Sequence, residues 1–210
     1  MFLSEEPMRA RHLAMYLSKL EPLPCEDVEL EQYSTDGNLA SSFLSAVVSF
    51  GDLSSETVVG DLGAGNGILG IGALKIGAKK CIFLETDKKA CLAISNNLSK
   101  DSLDESGIVI NEFLDEKTFF PKVDLIVCNP PWGRQKEKAD RPFLDLIIKN
   151  GSVTHMMHSS HSTHIRPFFE SKNWTVEKYN EFDFYLPGKY SHHKKEKDST
   201  KVGFWRLSPN

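Results

Sequence analysis

The tetrad Asn-Pro-Pro-Trp at residues 129–132 follows directly after the largely apolar run of residues 123–128. An asparagine side-chain oxygen and a backbone carbonyl held by proline can both accept hydrogen bonds from a planar amino group. These bonds draw the nitrogen towards tetrahedral geometry and direct its lone pair at an incoming methyl group, while an indole face can support a flat base. The tetrad therefore predicts methylation of an amino nitrogen, with an ordinary proline turn as the alternative. The predicted catalytic residues are Asn129, Pro130, Pro131 and Trp132.

A glycine-rich turn upstream predicts where the methyl donor binds. The apolar run of residues 57–62 leads into a turn with alternating glycines at residues 63–67, which lacks the third glycine of the dinucleotide fingerprint at its usual distance. A second apolar run, residues 81–84, ends at Glu85, where an acid can hold both hydroxyls of a ribose. Asp61 would repel the pyrophosphate of NAD, so the pattern favours S-adenosylmethionine (SAM), which has no phosphate.

These motifs give a set of predicted cofactor contacts. Asp61 and the turn residues should line the methionine and adenosyl parts of SAM, and Glu85 should hold its ribose. The alternatives are a purely structural turn and a solvated acid at a strand end. The turn residues concerned are Gly63, Gly65, Asn66 and Ile68.

Strand and helix patterns alternate along the chain, which predicts an α/β fold with a largely parallel sheet covered on both faces. Strands are predicted near residues 57–62, 80–85, 107–112, 123–128, 152–157, 174–184 and 201–207. Helices are predicted near residues 4–20, 38–50, 67–76, 88–99 and 140–149. The site residues named above then follow the carboxyl ends of strands, where a doubly wound sheet binds its ligands.

Composition is that of a single enzyme domain over residues 1–210, with residues 1–29 as an N-terminal helical extension and loop. The hydrophobic fraction of 40% is ordinary, and no apolar run approaches the roughly 20 residues that span a bilayer. The N-terminus lacks the pattern of a signal peptide, and the four cysteines lack paired spacing. A cytoplasmic protein with free thiols is therefore expected.

The two motifs, in this order, resemble those of SAM-dependent methyltransferases that act on exocyclic amino groups. Residues 30–37, Leu-Glu-Gln-Tyr-Ser-Thr-Asp-Gly, and residues 186–195, Leu-Pro-Gly-Lys-Tyr-Ser-His-His-Lys-Lys, narrow the resemblance. Together they resemble the small archaeal and eukaryotic ribosomal RNA adenine-N6 methyltransferases of the methyltransferase-like five type. The resemblance runs from about residue 30 to the C-terminus.

The resemblance implies a Rossmann-like class I methyltransferase fold, doubly wound, with a mostly parallel seven-stranded sheet and an antiparallel last strand. It implies transfer of a methyl group to the N6 amino group of an adenosine in structured RNA, with small-subunit ribosomal RNA as the expected substrate. Protein-glutamine N5 methylation, DNA adenine methylation and a non-catalytic RNA-binding subunit remain alternatives. A small zinc-binding activator subunit is a possible partner, at the edge strand of residues 108–110.

The resemblance also extends the set of site residues. Gln32 and Thr35 should close over SAM, although Thr35 or Asp36 could instead cap the helix that follows. The SAM adenine should meet Glu112 and Phe113, with Asp115 as a rival acid.

RNA contact must be local, because the net charge of the chain is −4. Positive charge and an aromatic ring are concentrated near residues 189–197, which suits a phosphate backbone and an unstacked base. A solvated basic loop is the alternative. The predicted RNA-binding residues are Lys189, Tyr190, His193, Lys194 and Lys195.

Four histidines at three-residue spacing, between residues 155 and 164, could suggest a metal site. The sequence places no cysteine or carboxylate close to them, and the family resembled is not metal-dependent. No metal is therefore predicted.

Overall fold

The computed structural model describes residues 10–23, 35–133, 137–185 and 199–210. The helices are α1 (Ala10–Leu17), α2 (Gly37–Ser49), α3 (Ile68–Ile76), α4 (Lys88–Lys100), α5 (Arg141–Asn150) and α6 (Ile165–Glu170). The strands are β1 (Val58–Leu62), β2 (Lys80–Glu85), β3 (Gly107–Asn111), β4 (Leu125–Cys128), β5 (Val153–Ser159), β6 (Trp174–Tyr185) and β7 (Ser199–Pro209).

The seven strands form one sheet in the order β3-β2-β1-β4-β5-β7-β6. The first five strands in this order are parallel to one another, whereas β7 runs antiparallel to both β5 and β6. This arrangement confirms the predicted class I methyltransferase fold. The strand order reverses between β1 and β4, so the crevice for a ligand opens at the carboxyl ends of these two strands.

Both faces of the sheet are buried. One face packs against α1–α4, through side chains such as Leu44, Ile71 and Ile94, and the other packs against α5 and α6, through Ile147 and Phe169. The strands are apolar on both sides for this reason: all of β4 is buried, for example. Because helices pack on both faces of the sheet, the ends of the strands and the residues that follow them are held in fixed positions.

Gly70 allows α3 to approach the sheet closely. A Cβ atom at this position would lie 2.4 Å from the Phe83 ring and 2.5 Å from Cys81 Sγ. The backbone N–H of Gly70 donates to Asp61 Oδ2 at 2.8 Å, which such a clash would disturb. The sequence pattern lacked a third glycine at the usual distance, and Gly70 provides the close helix–strand contact from a position further along.

The predicted elements correspond closely to those found, with a few differences. The described part of the first helix begins at Ala10, and residues 4–9 of the predicted helix lie outside the described residues. The six-residue helix α6 was not predicted. In the described ranges, no helix combines the length and the apolar composition needed to cross a membrane.

Candidate active site

An open cleft at the carboxyl ends of β1 and β4 brings the two sequence motifs together. Asp61, from the end of β1, and Asn129, just after β4, both line it although 67 residues of sequence lie between them in the same chain. The cleft is lined by Leu23, Thr35, Asp61, Gly63, Ala64, Gly65, Asn66, Ile68, Leu69 and Asn129.

Two buried acidic side chains belong to the site: Asp61 lines the cleft, and Glu85 lies against its glycine turn. Asp61 is 1% exposed, and burial, together with the nearby Glu85, raises its pKa to about 8. Burial also raises the pKa of Glu85, which stands at the end of β2. In the described part of the chain, no lysine or arginine forms an ion pair with either acid. A positively charged ligand would therefore be favoured here over an anionic one.

The glycine turn is held against Glu85. Gly63 and Gly65 have φ angles of +66° and +57°, which residues with a side chain rarely adopt. The N–H of Gly65 donates to Glu85 Oε2 at 2.8 Å, and the N–H of Asp87 donates to Oε1 at 2.9 Å. Each carboxylate oxygen thus accepts one backbone bond and keeps capacity for another, as a ribose contact requires.

Asn66 has a structural role that the sequence did not reveal. Its side-chain Nδ2 donates to the backbone carbonyl of Glu21 at 3.0 Å. The fully buried Asn97 completes the connection, because its Oδ1 accepts from Glu21 N–H and its Nδ2 donates to Asn66 O. These bonds fasten residues 20–23 over the glycine turn and bring Leu23, which was not predicted, into the cleft.

The Asn129 amide is oriented by two neighbours. Its Oδ1 accepts from the indole N–H of Trp132 at 3.3 Å, and its Nδ2 donates to Thr35 Oγ1 at 3.1 Å. An indole nitrogen can only donate, so the oxygen of the amide must face Trp132. An amide oxygen accepts two hydrogen bonds, and Oδ1 therefore retains one acceptor position for a donor in the cleft.

Thr35 and Trp132 are fixed in turn. The cap of α2 is provided by Asp36, whose side chain accepts from Asn38 N and Leu39 N, so the Thr35 hydroxyl is left to contact Asn129. The Trp132 ring stacks on His158, with the ring centroids 6.1 Å apart and the planes inclined by 28°. Pro130 is buried beneath the loop.

The predicted adenine contacts lie at the end of the next strand. Glu112 and Phe113 are exposed immediately after β3, and Glu112 N–H donates to the Glu85 carbonyl. The rival acid Asp115 accepts from Lys117 N and Thr118 N and so closes a turn of its own. Neither Glu112 nor Phe113 lines the cleft described above, and their contact with adenine stays a prediction.

Six predicted site residues cannot be placed. Gln32 and the RNA-binding set lie outside the described residues. That set comprises Lys189, Tyr190, His193, Lys194 and Lys195.

The four histidines are not one group, and the statement that they have no carboxylate nearby is wrong. His155 Nε2 lies 2.8 Å from Asp52, which also pairs with Arg206. His158 and His164 both lie against Asp140. Both carboxylates are distant from the histidines in sequence. Asp52 belongs to the loop between α2 and β1, and Asp140 belongs to the turn before α5.

Comparison with known proteins gives relatives over nearly the whole chain. An uncharacterised protein of Methanocaldococcus jannaschii is 31% identical over 95% of this chain and 94% of its own length. The rRNA N6-adenosine-methyltransferase METTL5 of Danio rerio is 28% identical over 96% of this chain and 100% of its own. A crystal structure of a proposed RNA methyltransferase from Pyrococcus horikoshii matches with a TM-score of 0.84 and 34% identity, covering 96% of this chain and 98% of that one. The chain belongs to the class I methyltransferases.

A family model described as ribosomal protein L11 methyltransferase (PrmA) also matches, over residues 41–130. This range ends within the Asn-Pro-Pro-Trp tetrad and includes the glycine turn and Glu85. It therefore covers the cofactor half of the methyltransferase and not the segments after β4.

Membership of this family implies SAM as the methyl donor, and the residues present fit such a cofactor. SAM carries a sulfonium and an ammonium charge, which suit two buried carboxylates without a cationic partner among the described residues. When bound, SAM supplies an electrophilic methyl group. In this chain, the cleft beside Asp61 and the glycine turn would hold SAM, and Asn129 lines the same cleft.

Proposed function

We propose that this protein transfers a methyl group from SAM to the N6 amino group of an adenosine in structured RNA, with small-subunit ribosomal RNA as the substrate. The observation that carries the proposal is the Asn129 amide, whose oriented oxygen has a remaining acceptor position in the cleft that also contains Asp61. The names of the animal relatives, rRNA N6-adenosine methyltransferases, support adenosine in ribosomal RNA as the acceptor.

The proposed mechanism depends on alignment. Asn129 Oδ1 and the carbonyl of Pro130 accept the two N–H bonds of the adenine amino group, which directs the nitrogen lone pair at the methyl carbon. After transfer the nitrogen has become acidic and loses its proton to water or to a loop carbonyl, so no general base is required. The adenosine must leave its stack to reach the loop, where Trp132 supports the ring. An unpaired or easily unstacked nucleotide is therefore the expected target.

RNA binding is assigned to the basic segment at residues 189–197, whose lysines concentrate positive charge in a chain of net charge −4. Cytoplasmic location is part of the same proposal. A protein-amide substrate is the competing possibility, and the PrmA match does not decide between them because it covers the cofactor half.

The function is tested by incubating the purified protein with isotopically labelled SAM and either ribosomal subunits or free ribosomal RNA. Nucleosides from the RNA are then analysed by mass spectrometry. We expect labelled N6-methyladenosine with the parent protein and none above background with the Asn129→Ala variant. Label in protein glutamine instead of RNA would support the amide alternative. Absence of any label, with SAM bound, would indicate a non-catalytic subunit.

Binding of SAM is expected to release a proton from Asp61. The pKa of about 8 in the free protein lies above the ordinary 3.8, so the carboxyl group is largely protonated at pH 7, and the cationic cofactor should favour its ionised form. SAM affinity should therefore rise between about pH 6 and pH 8.

The same raised pKa of Asp61 means that the free protein loses stability as the pH rises from about 4 to about 8, because the folded state binds the extra proton.

Calorimetry in two buffers of different ionisation enthalpy measures the proton released on SAM binding. The matched control is Asp61→Asn, which keeps the shape of the side chain and cannot ionise. Proton release that is the same in the parent protein and the variant would show that Asp61 does not respond to the cofactor.

We also propose that a small zinc-binding activator subunit adds to the edge of the sheet at β3. Among the described strands β3 pairs only with β2, and exposed apolar side chains lie on it and just after it. Ile108 is 43% exposed and Phe113 is 65% exposed. An unpaired strand edge with apolar side chains is a surface on which another chain can add a strand.

Co-expression with such an activator should raise the melting temperature of the methyltransferase, because binding to the folded state stabilises it. The Ile108→Glu variant should lose this gain. Met15→Glu is the matched control, since Met15 is 53% exposed on α1, a helix that packs against α2 and α3. A methyltransferase that is monomeric and equally stable with and without the activator would contradict the proposal.

A further inference from the structure

Asp140, His158 and His164 form a cluster behind the catalytic loop. They come from three separate elements: the turn before α5, strand β5 and the turn before α6. His164 Nε2 lies 2.5 Å from Asp140 Oδ2, and His158 Nε2 lies 3.2 Å from the same oxygen. One nitrogen from each histidine and one oxygen from the aspartate all lie within 4.8 Å of one another. The fold thus brings three side chains with metal-ligand chemistry to one point.

Two members of the cluster occupy helix N-cap positions but do not cap their helices through the side chain. Asp140 and His164 are the N-cap residues of α5 and α6, yet neither side chain bonds to its own helix. Asp36 and Asp87 in this same protein do cap their helices through the carboxylate, an interaction worth about 1 kcal/mol. Asp140 instead directs its carboxylate at the two imidazoles, which indicates that the position is shaped by the cluster rather than by the helix.

His158 is the buried member of the cluster. It is 1% exposed, and its contact with Asp140 lacks the alignment of a hydrogen bond. Within the described ranges, neither of its ring nitrogens has a hydrogen-bond partner. A buried imidazole whose ring nitrogens make no aligned hydrogen bond is costly, and an ion bound at Nε2 would satisfy that nitrogen.

We propose that Asp140, His158 and His164 bind a divalent transition-metal ion of the Zn²⁺ type. Two imidazole nitrogens and one carboxylate oxygen are a ligand set that Zn²⁺ accepts, with a fourth position available to water. His164 also has the outer contact expected of a metal ligand, because its Nδ1 lies 3.0 Å from Ser162 Oγ.

The location connects the metal ion to the catalytic loop. The His158 ring is stacked on Trp132, whose indole N–H donates to Asn129. An ion at His158 Nε2 fixes the plane of this imidazole and, through it, the indole that it supports. The metal is a structural support for the loop, and its binding can be measured without RNA or SAM. Failure of the RNA methylation proposal would therefore leave this inference intact.

The test uses the full chain, purified without a polyhistidine tag, stripped with a chelator and titrated with Zn²⁺ in a calorimeter. The variants are His164→Ala, at a side chain that is 51% exposed, and Asp140→Asn, which keeps the side-chain volume. His161→Ala is the matched control, because this exposed histidine lies in the same turn and outside the cluster. Circular dichroism confirms that each variant is folded.

One Zn²⁺ per chain is expected for the parent protein and for His161→Ala. Binding should weaken about a hundredfold or more in His164→Ala and Asp140→Asn, since loss of a ligand exceeds the effect of losing an outer contact. Zn²⁺ should also change the tryptophan fluorescence of the parent protein, and Trp132→Phe should remove that change. Parent protein that binds no Zn²⁺, or that binds it equally after Asp140→Asn, would overturn the proposal.

Discussion

Replacement of Asn129 by alanine is expected to reduce methyl transfer about a hundredfold or more while leaving SAM affinity nearly unchanged. The reduction is comparable to the loss of a group that stabilises a transition state by preorganised hydrogen bonding. The Asn129 oxygen has its remaining acceptor position in the cleft, whereas the two acids lie on the neighbouring strands β1 and β2. Removing the amide should therefore affect the alignment of the substrate nitrogen and not the hold on the cofactor.

Two milder variants separate the oxygen of Asn129 from its orientation. Thr35→Val removes the acceptor of Nδ2, and Trp132→Phe removes the donor to Oδ1 while keeping an aromatic ring. Each should reduce turnover less than Asn129→Ala, because the amide remains in place. Calorimetry with SAM and a labelled-methyl assay give the two readouts. Turnover retained by Asn129→Ala would remove this residue from the mechanism, and a parallel loss of SAM affinity would point to damage of the cleft.

The sequence was sufficient to predict the sheet and to bring the residues of the two motifs to one edge of it. Apolar runs such as residues 57–62 form strands because both faces of the sheet are covered. The predicted site residues lie at or just after the carboxyl ends of these runs. Strand ends in a doubly wound fold meet along one edge, so Asp61 and Asn129 could be placed together without knowing their distance. The antiparallel end of the sheet followed from the family resemblance and not from the pattern.

Contacts between distant loops could not be predicted. Asn97 is fully buried because it joins the backbone of Glu21 to that of Asn66, but its sequence context is that of an ordinary helix. Likewise, nothing near the histidines in the sequence indicates Asp140, which reaches them because β4 and β5 are neighbours in the sheet. Helical and strand periodicity reports which face of an element is buried, and it does not report which polar side chains meet across loops.

Replacement of Glu85 by alanine is expected to raise the dissociation constant of SAM about ten- to a hundredfold. A hydrogen-bonded contact with a charged group contributes about 1.5–3 kcal/mol, which corresponds to this range. Glu85 is 5% exposed and each of its oxygens already accepts one backbone N–H, so the acid is held in place before the cofactor arrives. The turnover at saturating SAM should change less than the affinity does.

The alanine variant also removes the acceptor of Gly65 N–H and so releases the glycine turn. Glu85→Gln keeps the volume and one acceptor oxygen, and should therefore lose affinity with little change in melting temperature. Calorimetry with both SAM and S-adenosylhomocysteine, which lacks the sulfonium charge, identifies the part of the cofactor concerned. A ribose contact predicts equal loss for the two ligands, since both carry the same ribose. Glu116→Ala, at an exposed acid after β3 that is not assigned to the site, is the matched control. Unchanged SAM affinity in both Glu85 variants would mean that Glu85 does not hold the ribose.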